Sequence, residues 1–524
     1  MTSPVSKNEL KGHSEFGNIT HTKPKKTISS THSERKTRMK RYHRLLAVMI
    51  CLTLMLTACS SAAPSDSSTS VEEVTPAAST PVPEPEASEP SPVLEEVAVP
   101  TEEPAPDPTS EPAVETAATP EGDISVNETT ETPAVIPGEE DYEAWYADMV
   151  EASIVSTGNN ARLKKVLEKA RSGGEVRVAA IGGSVTEGAG ASTNTEGYAY
   201  KFAEAFKRDY CPEGADNMKF VNAGLSGTPS SLGIMRYDRD IVGLLGGAPD
   251  LLVIEFAVND SGEATHGQAY SSMIHRALTD NPDCAVILLF AVFKSKWNMQ
   301  TNYIPEGEIY GLPMVSIKDA VAGPYASGEL NDVLFFSDEY HPKTYGHQIM
   351  SDCLMHLIGL IDREDPDPES EVPEKGIKQV SYEHTTLITS DLSTLEEGVS
   401  VDPGSFTLTD KALQSMFFTK KSAFGENFMH DKDGGNAPFT LKLTCSKLLL
   451  NFKTSKTKTF GLAEVLVDGT PVEACNGWAS GGWNNCNVVS VIDAEESAEH
   501  TVEIRMAEGF EDTSFTILSL GYVK

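Results

Sequence analysis

The sequence predicts a three-layer α/β/α sandwich on a parallel sheet, followed by a C-terminal all-β sandwich of jelly-roll type. Two patterns carry that expectation. Between residues 141 and 364, apolar runs at 176–182, 218–224, 250–258 and 284–292 alternate with helical patterns such as 159–171 and 344–361. A parallel sheet covered on both faces reads this way. Beyond the acidic, proline-containing stretch at 362–376, short strands of period two follow at 439–445, 460–469, 500–506 and 515–523. That is the pattern of antiparallel strands with one face in a core. The folded part therefore divides into an α/β domain at 141–364, a linker at 365–378 and a β domain at 379–524.

The preceding residues are expected to join neither domain. Residues 1–38 are polar and basic, and translation from Met39 would leave them out of the product. Residues 39–59 combine a basic start, an apolar run from Leu45 to Ala58 and the terminal sequence Leu56-Thr57-Ala58-Cys59. The run is shorter than the roughly 20 residues a membrane span needs. The segment resembles a bacterial lipoprotein signal, which implies cleavage before Cys59, acylation of that cysteine and an extracytoplasmic protein anchored to the membrane. Residues 60–140 are rich in Pro, Glu, Ser, Thr and Ala, and no Lys or Arg occurs between Arg44 and Arg162. Such a segment buries too little apolar area to order itself and reads as an extended tether. At roughly 3 Å per residue, its reach is up to about 240 Å. Much of the formal charge of −35 lies there and disfavours nucleic acid and anionic surfaces as partners.

Within the α/β domain, the segment VRVAAIGGSVTEGAG, residues 176–190, is the most informative. A buried strand ends in Gly182 and Gly183, and a helical segment follows, so Ser184 stands at the carboxyl end of a sheet as a nucleophile would. By itself the segment also reads as a glycine-rich phosphate loop or a plain strand-to-helix turn. Three later segments supply partners. The run 218–224 ends in Gly224, where a backbone N–H could approach a substrate because no Cβ intervenes. The strand 250–258 is followed by Asn259, whose amide can donate to a developing oxyanion, although a turn-forming Asn reads alike. In SDEYHPKTYGH, residues 337–347, Asp338 lies three residues before His341, and Pro342 stops any continuous helix through the histidine.

Four such blocks in this chain order resemble the SGNH (GDSL-type) hydrolase family over roughly residues 176–360. The resemblance implies a flavodoxin-like α/β/α fold, Ser184 as nucleophile, His341 as general base and Asp338 as its orienting acid. It also implies an oxyanion hole from the N–H groups of Ser184 and Gly224 with the Asn259 amide. Two departures stand out. Many members have Gly-Asp-Ser where this chain has Gly182-Gly183-Ser184, and the histidine loop also offers Glu339 and the more distant Asp332 as orienting groups. Some carbohydrate-active members use a backbone carbonyl for that purpose.

The activity implied is serine-dependent cleavage of an acyl ester, most naturally an O-acetyl group on a polysaccharide, because a β-sandwich beside this core resembles some carbohydrate esterases. A lipase or lysophospholipase, or a noncatalytic polysaccharide-binding protein, are the alternatives. No metal or other cofactor is expected, since H-E-x-x-H and paired C-x-x-C spacings are absent. Trp297 and Asn298, after the fourth apolar run, face the expected site end of the sheet as substrate contacts. Trp478 and Trp483 stack on sugar, fill the core or cover the cleft. His266, His275 and His347 read as surface or helix-terminal residues. Cys475 and Cys486 could pair, while Cys211, Cys284, Cys353 and Cys445 read as small buried hydrophobes.

Overall fold

The apolar runs become a six-stranded sheet buried from both sides. The computed structural model describes residues 139–524, with side chains from residue 144. The 1–38 extension, the 39–59 signal with Cys59, and the tether up to residue 138 lie outside the described residues. The strands are β1 (Ile154–Ser156), β2 (Val176–Gly182), β3 (Met218–Gly224), β4 (Leu251–Glu255), β5 (Ala285–Phe290) and β6 (Met314–Ser316). Every residue of β4, β5 and β6 is buried, and so is all of β2 except Arg177. Strands covered on both faces lose polar alternation, which is why they read as unbroken apolar runs.

The strand order is β1-β6-β5-β4-β2-β3. β2 pairs with β3 and β4 in parallel, and β4, β5 and β6 continue in parallel. One expectation is corrected here: the sheet is mixed, because β1 runs antiparallel to β6 at the edge, across a register shift. Its three half-buried residues are too few to show a period. From β2 the chain steps outward to β3 and then returns across β2 to β4, so the order reverses beside β2. Open α/β sheets form their crevice at that reversal, outside the carboxyl ends of the strands.

Helices cover both faces. Ala161–Arg171, Tyr198–Tyr210, Ile317–Ser327 and Thr344–Arg363 pack on one side through residues such as Leu163, Phe202, Val321 and Leu354. Ser230–Met235, Gln268–Asp280 and Gln300–Tyr310 pack on the other through Leu232, Met273 and Tyr303. Local chemistry sets their ends. Ser316 Oγ accepts the Asp319 N–H at 3.0 Å to start one helix, and Lys169 and Arg171 occupy the last turn of another, where cations favour the dipole.

The C-terminal domain is an antiparallel all-β fold in which two long strands serve both layers. Phe439–Ser455 pairs with Trp483–Met506 from Phe439↔Ile504 to Ser455↔Trp483, with bulges between. The first part of Phe439–Ser455 also pairs with Ser400–Asp402, and the second part with Phe515–Val523. Phe439, Leu441, Leu450, Val465, Ile504 and Ile517 fill the core between the layers. Cys475 belongs to this core and Cys486 to a different one, so the two do not pair, and all six cysteines of the described residues are free thiols.

That different core is shared between the domains. Tyr382, Met416, Phe424, Leu449 and Leu518 of the β domain join Met235, Tyr237, Met273 and Ile274 in one buried cluster. A Cβ on Gly521 would come within 2.8 Å of Met235 and 2.9 Å of Thr385, so the β sheet lies as near the helix Ser230–Met235 as a bare glycine allows. Ser272 Oγ accepts the Tyr382 N–H at 3.0 Å, and Arg276 donates to the Glu383 carbonyl at 2.7 Å. With apolar surface continuous across the boundary, the two domains are expected to unfold in one urea transition followed by circular dichroism. Leu449→Ala should lower the unfolding free energy by about 2–5 kcal/mol. Two separate wild-type transitions would refute the shared core.

Candidate active site

Ser184 opens a four-residue helix, Ser184–Glu187, directly after β2. The turn into it has no room for side chains. A Cβ on Gly182 would lie 2.1 Å from Thr186 Oγ1 and 2.4 Å from the Glu255 carbonyl oxygen; one on Gly183 would lie 2.3 Å from Asn259 Oδ1. Both glycines are thus required by close approach, and φ is −87° at Gly183, an ordinary value. Where many members carry Asp, a side chain at 183 would here overlap the Asn259 amide. Asn259 is thereby set against the peptide that precedes Ser184.

His341 reaches Ser184 from a tight loop between Phe336 and Pro342, which bridge each other. Its Nε2 lies 3.0 Å from Ser184 Oγ, and its Nδ1 lies 2.8 Å from Asp338 Oδ2. The carboxylate assigns the tautomer: Nδ1–H donates to Asp338, leaving Nε2 to accept from the serine hydroxyl. Asp338 Oδ1 also accepts the N–H groups of Tyr340 at 2.7 Å and His341 at 2.9 Å, so the acid holds both the ring and the loop that carries it. Partial burial raises the Asp338 carboxyl, but the bonds from His341 and these two N–H groups outweigh it and hold it below its ordinary value. Glu339 and Asp332 are paired with Lys294 and Lys296 at 2.8 and 2.9 Å. Of the three acids, Asp338 alone bonds His341.

Gly224 is placed differently from the sequence expectation. Its N–H donates to Asn222 Oδ1 at 2.9 Å, and a Cβ there would come within 2.2 Å of the Glu187 nitrogen. Gly224 therefore permits the strand to pass under the Ser184 helix and has no N–H to offer a substrate. Three residues on, Gly227 has φ +67°, and its N–H has no partner among the described residues. The loop bearing it is pinned at one side by Ser226 N–H on Glu187 Oε2 at 3.0 Å and at the other by Ser230 N–H on Asp260 Oδ1 at 2.7 Å. The Ser-Gly pair after the strand was the available signal. The Ser184 N–H is likewise unpartnered among the described residues, and the Asn259 side-chain amide makes no hydrogen bond there, its Oδ1 being buried without a partner.

The aromatic contacts surround this centre. Trp297 stacks on Phe293 at 5.8 Å, Phe293 meets Tyr340 edge-on at 5.2 Å, and Tyr340 lies beside His341. Trp297 is 39% exposed and Tyr340 56%. Asn298 is corrected: it is buried, and its amide donates to the Ala291 carbonyl and Gln300 at 2.9 and 3.0 Å, so it shapes the loop and faces no solvent. Trp483 and Trp478 are exposed, which removes the core alternative, and Trp483 abuts Gly227. His266 and His275 take no part, and His275 pairs with Glu383.

Two buried groups support the site from beneath. His347 lies in the first turn of Thr344–Arg363, as a helix-terminal residue, but is fully buried; its Nδ1 accepts the Tyr198 N–H at 3.2 Å and its Nε2–H donates to the Ala189 carbonyl at 3.0 Å. Burial lowers it to about 4, so it stays neutral. Glu255, at the end of β4, accepts from Thr186 Oγ1 at 3.1 Å, while its other oxygen has no partner among the described residues. Burial raises its carboxyl to about 8, with Asp260 adding and Thr186 opposing. A folded protein that keeps a proton the unfolded chain loses near 4.5 is destabilised as pH rises through that interval. The thermal midpoint should accordingly fall between about pH 5 and about pH 8, and fall less steeply in Glu255→Gln. Equal slopes in the two proteins would assign the decline to other groups.

A hydroxyl bonded to an oriented imidazole, with the unpartnered Ser184 N–H and the Asn259 amide beside it, is an arrangement for acyl transfer. Residues 180–349 match the GDSL-like Lipase/Acylhydrolase family. Among solved structures, a two-domain esterase (CEX) active on acetylated mannans is similar over 72% of this chain and 99% of its own, at 24% identity and a TM-score of 0.62. The same esterase co-crystallised with mannopentaose gives 23% identity and a TM-score of 0.61 over 72% of this chain and 98% of its own. At these identities the likeness is one of fold, and it extends through both domains. No curated protein matches the chain. Residues 180–349 are thus a GDSL-like lipase/acylhydrolase domain, and the protein is an ester hydrolase with an all-β domain behind it.

Proposed function

We propose that this protein is a surface-tethered serine esterase that removes O-acetyl groups from a polysaccharide. The hydrogen-bonded chain from Ser184 through His341 to Asp338 carries the reading. In the first step His341 Nε2 takes the Ser184 proton as Oγ attacks the acetyl carbonyl, and Asp338 stabilises the imidazolium. The N–H groups of Ser184 and Gly227 and the Asn259 amide receive the oxyanion. As the bond from the acyl carbon to the sugar oxygen breaks, His341 protonates that oxygen, releasing a sugar hydroxyl and leaving an acetyl-enzyme. Water, deprotonated by the same nitrogen, attacks that ester, and acetate leaves as the proton returns to Ser184.

Carbohydrate as the substrate is supported by two features. Tyr340 exposes ring surface beside His341 and Trp297 does so on the far side of Phe293, and aromatic faces suit the apolar faces of sugars. The esterase that shares this two-domain fold is described as active on acetylated mannans. The tether rests on the sequence alone: lipidation at Cys59 and the Pro-, Glu-, Ser- and Thr-rich sequence of residues 60–140 would hold the enzyme outside the membrane at a distance from it.

Acetate release from acetylated mannan, xylan and p-nitrophenyl acetate should be abolished by Ser184→Ala, and the ranking of substrates identifies the polysaccharide. Release that survives in Ser184→Ala would sink the mechanism. Asn259→Ala should keep the fold and lower kcat by about a hundredfold or more, the typical loss for one oxyanion donor; unchanged kcat removes Asn259 from the site.

A further inference from the structure

Ser226 is gripped on both sides of its backbone. Its N–H donates to Glu187 Oε2 at 3.0 Å, and its hydroxyl bonds the same oxygen. Its carbonyl accepts from Gln414 Nε2 at 2.7 Å. Glu187 ends the helix that Ser184 begins, whereas Gln414 belongs to the C-terminal domain. The other Glu187 oxygen accepts the Phe417 N–H, also from the C-terminal domain, at 3.2 Å.

The Ser226 carbonyl and the Gly227 N–H are two ends of one peptide. That unit is planar, and in the trans form its C=O and N–H point in opposite directions, so fixing the carbonyl aims the N–H. Gly227, at φ +67°, is free to rotate about that peptide in ways a residue with Cβ is not. An external anchor is needed to select one orientation. Gln414 is buried, its own carbonyl is tied to the Ala423 N–H at 2.9 Å, and its Oε1 has no partner among the described residues. A buried amide left half-satisfied is unfavourable, and its one side-chain bond goes to Ser226.

Resting on the esterase reading above, we propose that Gln414 is a positioning residue for the oxyanion hole: the C-terminal domain reaches into the active site through it and aims the Gly227 N–H at the reacting acyl group. The β domain is then part of the catalytic apparatus even for a substrate too small to touch it.

The test uses the full chain with p-nitrophenyl acetate. Gln414→Met keeps the length of the side chain and removes the donor; kcat should fall about tenfold or more, less than deletion of a whole donor, with KM changed by under about threefold. Affinity for a boronic acid, which forms a tetrahedral adduct on Ser184, should weaken in the same proportion as kcat/KM. Gln414→Glu should be impaired when ionised, and its kcat relative to wild type should recover as pH falls and the protonated carboxyl donates to the carbonyl again. A folded Gln414→Met with wild-type kcat and boronate affinity overturns the proposal. Failure of both variants to fold overturns it too, by making Gln414 a residue of the domain interface. If wild type itself shows no Ser184-dependent hydrolysis, the esterase reading has failed; if wild type is active and the folded variants are indifferent, only the role of Gln414 has.

Discussion

The nucleophile turn has no space for a Cβ at either residue before Ser184, and the rest of the site follows from that constraint. Because Gly182 is bare, Thr186 and the Glu255 carbonyl press against the end of β2; because Gly183 is bare, the Asn259 amide does the same. The ends of β2 and β4 therefore come closer than ordinary side chains would permit. Ser184 and Asn259, 75 residues apart in sequence by their numbers, meet as neighbours. The Glu255 carbonyl is backbone and cannot change rotamer, and packing against bare glycines leaves the Thr186 and Asn259 side chains little room to do so.

The α/β domain was legible because its strands are buried on both faces. β2 and β3 coincide with their apolar runs, and the last strand, Phe515–Val523, coincides with its own. The antiparallel edge strand β1 was invisible, having three residues and no buried face. The long strands of the β domain were read only at one end. Phe439–Ser455 loses its alternation where both of its faces become buried, and in the middle of Trp483–Met506 residues 495–499 are exposed and largely polar, which hides the strand that runs through them.

Of the site itself, Ser184, Asn259, Asp338 and His341 were readable because each punctuates a strand end or a short loop. The donor proposed at Gly227 was not, because Gly224 and Gly227 look alike in sequence and differ in what their neighbours do. Asn222 occupies the N–H of the first, while a left-handed turn leaves that of the second open. Glu187 and Gln414 were out of reach for another reason: their significance lies in Ser226, which each touches from a different domain. A pattern along one chain segment carries no record of a contact made at such separation. Asn298 failed in the opposite sense, its loop lying at the site while its side chain turns inward.

The two long strands of the β domain bear on how accurately this protein must fold. Side chains alternate with period two, so a slip of one residue between Phe439–Ser455 and Trp483–Met506 would invert every side chain along both layers together. The same slip would displace Leu449 from the core shared with the α/β domain and Trp483 from its place against Gly227. Bulges between Cys445 and Lys447, Leu448 and Leu449, and Thr454 and Ser455 break the ladder at unequal intervals, which allows only one alignment to match. They act as a combination lock, so that one alignment sets the strand register, the shared core at Leu449 and the place of Trp483 against Gly227 together.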